Sequence, residues 1–296
     1  MTTSRSILCS RCGRRGAVIY RPLTKQRLCT ECHWRLVVST VKENMSSPLL
    51  RGRGVLVTVP IHPLAPLESL LVLEAAVEVE RAMGGSVAAV ALEGYERALE
   101  ALPPTSRPDF LVLSWRNATR RSGALGSSPK SLEQLGLPGA WRRLRALYAS
   151  VANELAGEKR AIGVLLLPAC PEMLLVLSLS SFMRGEWAGL AEFTRSFVHP
   201  KLDVLIVNGL YGIPCYEAAA LASMKYGLEA AELKLQALDG LDSQLARLVE
   251  EVTAGRSLEF LFSPRRTAEK IRELIGGACS LCGGPASSDP CLFCSQ

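Results

Sequence analysis

Residues 55–83 read VLVTVPIHPLAPLESLLVLEAAVEVERAM. Val55 to Val59 is a short β-branched run, and Leu67 to Met83 has the length and Leu/Val/Ala/Glu content of a helix stopping at Gly84-Gly85. A strand running directly into a helix is the unit of a parallel sheet. Downstream the unit recurs. Val87 to Leu92 reads as a strand, Tyr95 to Leu102 as a short helix, and Phe110 to Leu113 as a strand announced by Pro103, Pro104 and Pro108. The strand Ile162 to Leu167, the helix Glu172 to Arg184, the strand Val204 to Val207 and the helix Cys215 to Tyr226 continue it. This pace predicts an α/β fold, a parallel sheet with helices on both faces. Asn117 to Gly139, rich in Gly, Ser, Pro and Arg, predicts a surface loop. Trp141 to Gly157 predicts a basic amphipathic helix, and Ser243 to Thr253 and Pro264 to Ile275 two closing helices. No internal repeat is visible.

The chain has 296 residues, 48% apolar and 21% charged, which suits a globular core and excludes a disordered chain. The most apolar segment, Ala161 to Met183, is interrupted by Pro168, Pro171 and Glu172, so it reads as a buried strand and helix and no membrane partner is expected. The net charge of +6 is uneven: residues 1–53 hold 11 Lys/Arg against Glu31 and Glu43, while the remainder holds 23 against 26. A local cation excess suits a polyanion such as RNA, or else a solvated basic surface. The start MTTSRSILCS lacks the apolar stretch of a signal peptide, so a reducing, cytoplasmic setting is expected.

Eight of the ten cysteines form paired C-x-x-C units: Cys9, Cys12, Cys29 and Cys32, then Cys279, Cys282, Cys291 and Cys294. The two-residue gap lets both thiolates of a unit converge on one ion, and two units complete a closed tetrahedral shell, which is structural rather than catalytic. Two zinc ions are therefore expected, with disulfides or iron as alternatives. His33 beside Cys32 is either a substitute ligand or a bystander. Cys170 and Cys215, both in apolar contexts, read as packed core cysteines. Three segments follow: a zinc module with basic linker (1–50), an α/β domain (51–276) and a zinc knuckle (277–296).

The order of C-x-x-C, basic spacer, Leu28-Cys29-x-x-Cys32, helix, linker, strand, then a terminal C-x-x-C-G pair resembles the two-zinc tRNA 2-thiolation proteins, ATP-dependent enzymes of the PP-loop type. The resemblance covers nearly the whole chain, and Gly13 and Gly283 stand where that family has them. It implies a PP-loop, adenine nucleotide α-hydrolase-like fold. In active members the first strand runs into a Ser-Gly-Gly-x-Asp-Ser loop that cradles phosphates. Here Pro60, Pro63 and Pro66 lack an N–H, no glycine is present, and Glu68-Ser69 alone echoes the motif. Two further landmarks are lost: the internal C-x-x-C is replaced by Ser114-Trp-Arg-Asn117, and the Gly-His-Asn-x-Asp-Asp segment by Leu167-Pro-Ala-Cys-Pro-Glu172.

ATP binding is accordingly not expected, and the chain looks like a degenerate, non-catalytic partner subunit. Its implied partners are tRNA and either a catalytic thiolating paralogue or a second copy of itself. The candidate phosphate contacts are Arg14, Arg15, Arg21, Lys25, Arg27, Arg35, Arg51, Arg53, Arg120 and Arg121, with Arg116 extending the track. Two alternatives stay open. One is a zinc-dependent nucleic-acid-binding scaffold unrelated to thiolation. The other is an enzyme, either a thiolating one with an atypical nucleotide site or one using different chemistry in the same cleft, for which His62 and His199 lack a recognisable acid or metal partner.

Overall fold

The computed structural model describes residues 7–22, 24–50, 54–122, 132, 134–227, 240–255, 264–275 and 277–295. An antiparallel hairpin, β1 (Ile19–Arg21) and β2 (Gln26–Leu28), precedes helix α1 (Thr30–Met45). There follow β3 (Val55–Ile61), α2 (Pro66–Met83), β4 (Ser86–Leu92), β5 (Asp109–Leu113), α3 (Trp115–Ser122), α4 (Gly136–Glu158), β6 (Ile162–Leu167) and α5 (Pro171–Met183). Then come β7 (Ser196–Val198), β8 (Val204–Asn208), α6 (Cys215–Tyr226), α7 (Gly240–Gly255), α8 (Pro264–Ile275) and the short α9 (Leu292–Ser295).

The six-stranded sheet has the order β5-β4-β3-β6-β8-β7. Its first five strands run parallel, as expected, but β7 pairs antiparallel with β8. Three residues suffice for such an edge strand, too short a run to stand out in the sequence. Strand order reverses between β3 and β6, the place where open α/β sheets form their ligand crevice.

Both faces of the sheet are covered. Val57, Val59 and Ile61 of β3 pack with Val37 and Val41 of α1, Leu70, Leu71 and Leu73 of α2 and Leu221 of α6. On the other face Leu165 and Leu167 of β6 pack with Trp141, Leu144 and Tyr148 of α4, Leu174 and Leu177 of α5, and Leu245 and Val249 of α7. Each such side chain contributes about 1.5–3 kcal/mol relative to an exposed one. Pro60 is tolerated inside β3 because pairing with β6 stops at Thr58↔Leu165, leaving β4 as its neighbour there.

Two expectations are corrected. The supposed loop from Asn117 begins inside helix α3, and α4 starts at Gly136; Ala118 and Leu132 are fully buried, so part of this stretch belongs to the core. The helix expected at Trp141 to Gly157 is present as α4, but its arginines do not form an exposed basic face. Arg142, Arg143 and Arg145 are all buried, for reasons set by the C-terminal cysteines. Among the described residues no helix is long and apolar enough to cross a membrane.

Candidate metal centres and the closed crevice

The N-terminal cysteines are brought together by two local devices. Cys9 and Cys12 lie on a tight knuckle in which the Gly13 N–H donates to the Cys9 carbonyl at 2.8 Å, and Gly13 takes φ +63°, a conformation that favours glycine. Cys29 is the N-cap of α1 and Cys32 lies in its first turn, so the second pair faces the positive end of a helix. The C-terminal set repeats both devices. Gly283, at φ +70°, donates to the Cys279 carbonyl at 2.8 Å, and Cys291 immediately precedes α9 while Cys294 lies within it. The described structure also has the same short antiparallel bridge beside each knuckle, Leu8↔Gly16 and Ala278↔Pro285.

Within each set all four sulfurs lie within 4.8 Å of one another. Four thiolates at about 2.3 Å from a shared ion stand about 3.8 Å apart, and Cys12 to Cys29 is 3.9 Å and Cys282 to Cys291 4.0 Å. All eight are unbonded to one another, which removes the disulfide alternative. Their electrostatics point the same way. Cys282 is held well below the usual thiol range by hydrogen bonds from Cys279, Cys291 and Cys294 and by the Arg145 charge, whereas Cys291 is pushed up by Cys279, Cys282 and burial, and Cys294 by Cys279, Cys282, Cys291 and burial. A cation at the centre resolves that conflict by letting all four ionise. At Cys9 burial pushes the thiol up, but the backbone N–H groups of Cys29, Cys12 and Arg11 outweigh it and hold it at about 6.

Neither module hangs free. In the N-terminal one His33 is fully buried and is not a ligand: its Nε2 lies 3.1 Å from Glu217 Oε2 of α6. The Arg21 Nε donates to that same oxygen at 2.8 Å. The C-terminal module is held by α4. Arg145 Nε donates to the Cys282 carbonyl at 2.9 Å and Arg143 Nε to the Phe293 carbonyl at 3.1 Å, while Glu192 accepts from Arg145 and pairs with Arg142 at 3.0 Å. Glu186 accepts from the backbone of Ser287 and Leu292, and His199 lies 3.1 Å from the Leu281 carbonyl. Gly284 leaves no room for a side chain, since a Cβ there would stand 1.9 Å from Arg145 Nη2.

At the crevice between β3 and β6 the connection into α2 is packed shut. His62 donates its backbone N–H to Ser69 Oγ at 2.9 Å, Leu64 donates to His62 Nδ1 at 3.3 Å, and Ala65 donates to the His62 carbonyl at 2.9 Å. Pro63 and Pro66 have no N–H, so every position from 62 to 66 either lacks a donor or has committed it internally. Ser69 Oγ is likewise used, donating to the Ala65 carbonyl. The His62 ring is fully buried 4.3 Å from Trp141 and 5.8 Å from Tyr148, and burial lowers it to about 3. The run Leu64 to Leu73 is not an exposed apolar stripe: Leu64, Leu67, Leu70, Leu71 and Leu73 are all buried. At the second lost landmark, Ser114 opens α3 by accepting the Ala118 N–H on its carbonyl, with no thiol nearby in Trp115, Arg116 or Asn117.

Of the candidate phosphate contacts, Arg14, Arg15, Lys25, Arg27 and Arg35 are exposed on the N-terminal module, and Arg116 and Arg120 are exposed on α3. Arg21 is the exception. It is buried against Glu217 and is withdrawn from the set. Arg51 and Arg53 lie outside the described residues, and Arg121 lies in α3. A feature missed in the sequence is Tyr20, half exposed and directly across the hairpin from Arg27. Cys170 and Cys215 are also corrected: they are not separate core thiols but are bonded to each other.

No family model matches the chain, and no curated protein matches it. Among solved structures, the chain is similar to the U34-tRNA thiolase NcsA from Methanococcus maripaludis, determined with its [4Fe-4S] cluster, at 17% sequence identity and a TM-score of 0.66. The match covers 98% of this chain and 95% of that one, so the two share a fold from end to end.

Proposed function

We propose that this protein is a non-catalytic, tRNA-binding subunit of a uridine 2-thiolation assembly, in which two structural zinc ions hold its terminal modules and a catalytic thiolating paralogue performs the chemistry. The observation that carries this reading is the internally satisfied connection from 62 to 66, at the crevice where a PP-loop enzyme offers outward-facing amides to phosphate. The end-to-end fold match to a U34-tRNA thiolase supports the tRNA connection. The absence of cysteine at Ser114 and Asn117 supports the loss of sulfur or cluster chemistry there. Zinc suits both tetrathiolate sets because sulfurs 3.9 Å apart at Cys12–Cys29 and 4.0 Å apart at Cys282–Cys291, with all four of each set within 4.8 Å, fit one closed-shell tetrahedral ion.

The exposed Arg14, Arg15, Lys25 and Arg27 supply the phosphate contacts on a module clamped to α6, and Tyr20 offers a stacking surface beside Arg27. The test is calorimetry on the metal-loaded protein with ATP and, separately, total tRNA at low and moderate salt. Salt-sensitive tRNA binding with no heat from ATP supports the reading. Micromolar ATP affinity overturns it in favour of an enzyme, and silence to both overturns it in favour of a scaffold. Co-purification of a thiolating paralogue then distinguishes a heteromeric assembly from a self-assembly.

A further inference from the structure

Cys170 and Cys215 belong to neither metal set, and the sheet topology joins them across 45 residues of sequence. Strands β6 and β8 are neighbours, with Leu167 paired to Asn208, so helices α5 and α6 begin side by side at one edge. Cys170 is the N-cap of α5 and Cys215 the first residue of α6. Their Cα atoms are 5.4 Å apart, inside the roughly 4.4–6.8 Å window for a disulfide, and their sulfurs are bonded. A carboxylate oxygen of Glu172 lies within 4.8 Å of both sulfurs, and Glu172 accepts the Cys215 backbone N–H at 2.8 Å. Burial pushes that carboxyl up to about 6. The two sulfurs differ in access: Cys170 is 1% exposed, whereas Cys215 is half-buried.

We propose that Cys170 and Cys215 form a redox-active pair that exchanges with a dithiol reductant, Cys215 being the sulfur attacked. A thiolate of the reductant bonds to Cys215 Sγ as the Cys215–Cys170 bond breaks, and the electron pair leaves on Cys170 Sγ. That thiolate forms at the N-terminus of a 13-residue helix, whose dipole favours negative charge. The second thiolate of the reductant then attacks its own sulfur in the mixed disulfide and expels Cys215. The reductant leaves as a disulfide, oxidised by two electrons, and its two protons end on Cys170 and Cys215, with the Glu172 carboxylate placed to pass them. This inference does not depend on the tRNA reading.

The test equilibrates the full-length, metal-loaded protein against graded ratios of reduced and oxidised dithiothreitol, quenches with acid, alkylates and reads each cysteine by mass spectrometry. Cys170 and Cys215 are expected to become labelled together along a two-electron curve while metal content stays constant. In the folded single variants, Cys215 of C170S is expected to react about tenfold or more faster than Cys170 of C215S. Three results would overturn the proposal: both cysteines labelled at every ratio, a bond that survives excess dithiol until denaturant is added, or a third metal equivalent lost in C215S.

Discussion

The Arg145 guanidinium donates to the Cys282 carbonyl at 2.9 Å, lies 3.5 Å from Cys282 Sγ through Nη2, and holds Glu192 with both terminal nitrogens at 2.6 and 3.0 Å. A helix of the α/β body thus reaches into the ligand shell of the C-terminal site. Arg142, Arg145 and Glu192 together carry one net positive charge beside a group that carries two negative charges once four thiolates hold a divalent ion. The mutual pairing of Arg142, Arg145 and Glu192 leaves one positive charge in excess, which that group complements.

Arg145→Met is therefore expected to weaken metal binding at the C-terminal site by about 10–100-fold, the usual effect of removing an outer partner of a ligand. It also leaves Glu192 with Arg142 alone; because that carboxylate keeps one partner, the loss in unfolding free energy is expected to stay below the about 3–5 kcal/mol of a fully stranded buried charge. Arg145→Lys recovers charge but not the fork, and should fall between. Competition with a chromophoric chelator measures the first effect and urea unfolding the second. Unchanged metal affinity in Arg145→Met would refute the coupling.

Glu217 plays the equivalent part at the other end, gathering Arg21 and His33 of the N-terminal module onto α6. Glu217→Ala strands the Arg21 charge in a buried position and is expected to cost about 3 kcal/mol or more. Hydrogen exchange should quicken across residues 19–45 while the four-sulfur site keeps its metal, because no ligand is touched. Loss of protection in the whole sheet instead would mean that the module and body unfold as one unit.

His62 gives the stability a pH dependence of known sign. Its folded pKa, about 3, lies below the ordinary value of 6.5, so its neutral form is the folded one. Stability is fully present above about pH 6.5 and falls by up to about 1.4 kcal/mol per unit as the pH drops toward 3. Glu172 acts in the opposite sense between its ordinary 4.5 and about 6, since its folded pKa is raised. The difference between wild type and His62→Phe isolates the histidine. Across pH 7.5, 6 and 5 the wild-type urea midpoint should fall relative to that of the variant, and a constant offset would exclude a buried neutral His62.

The strand-helix alternation was legible because it rests on local chemistry: β-branched runs such as Val55–Val59 and a Leu/Ala/Glu helix closed by Gly84 at φ +79°. The metal sets were legible because C-x-x-C spacing brings its own geometry, including the left-handed Gly13 and Gly283. What stayed hidden was long-range. Arg21 looks the same in sequence whether it faces phosphate or Glu217, 196 residues away. The arginines of α4 made it read as a basic amphipathic helix, and their burial was not legible because their partners, Glu192 and the terminal knuckle, lie far along the chain. Cys170 and Cys215 meet only once β6 and β8 are neighbours.

That distinction yields the sharpest test of the basic surface. Arg14, Arg15 and Arg27 are exposed, and the pairing of Arg15 with Glu31 at 3.8 Å is a surface contact worth at most about 1 kcal/mol, so none is committed elsewhere. If they contact phosphates, alanine at each should weaken tRNA binding at low salt and reduce the slope of log affinity against log salt by about 1 per residue, with unfolding free energy nearly unchanged. Arg21→Ala should do the reverse: it leaves Glu217 buried without its strongest partner, lowering stability while the salt slope of the remaining folded protein is kept. Fluorescence anisotropy on labelled tRNA at several salt concentrations, with urea unfolding of the same samples, separates the two classes. Equal salt slopes for wild type and all three exposed variants would show that the basic face is solvated rather than RNA-binding.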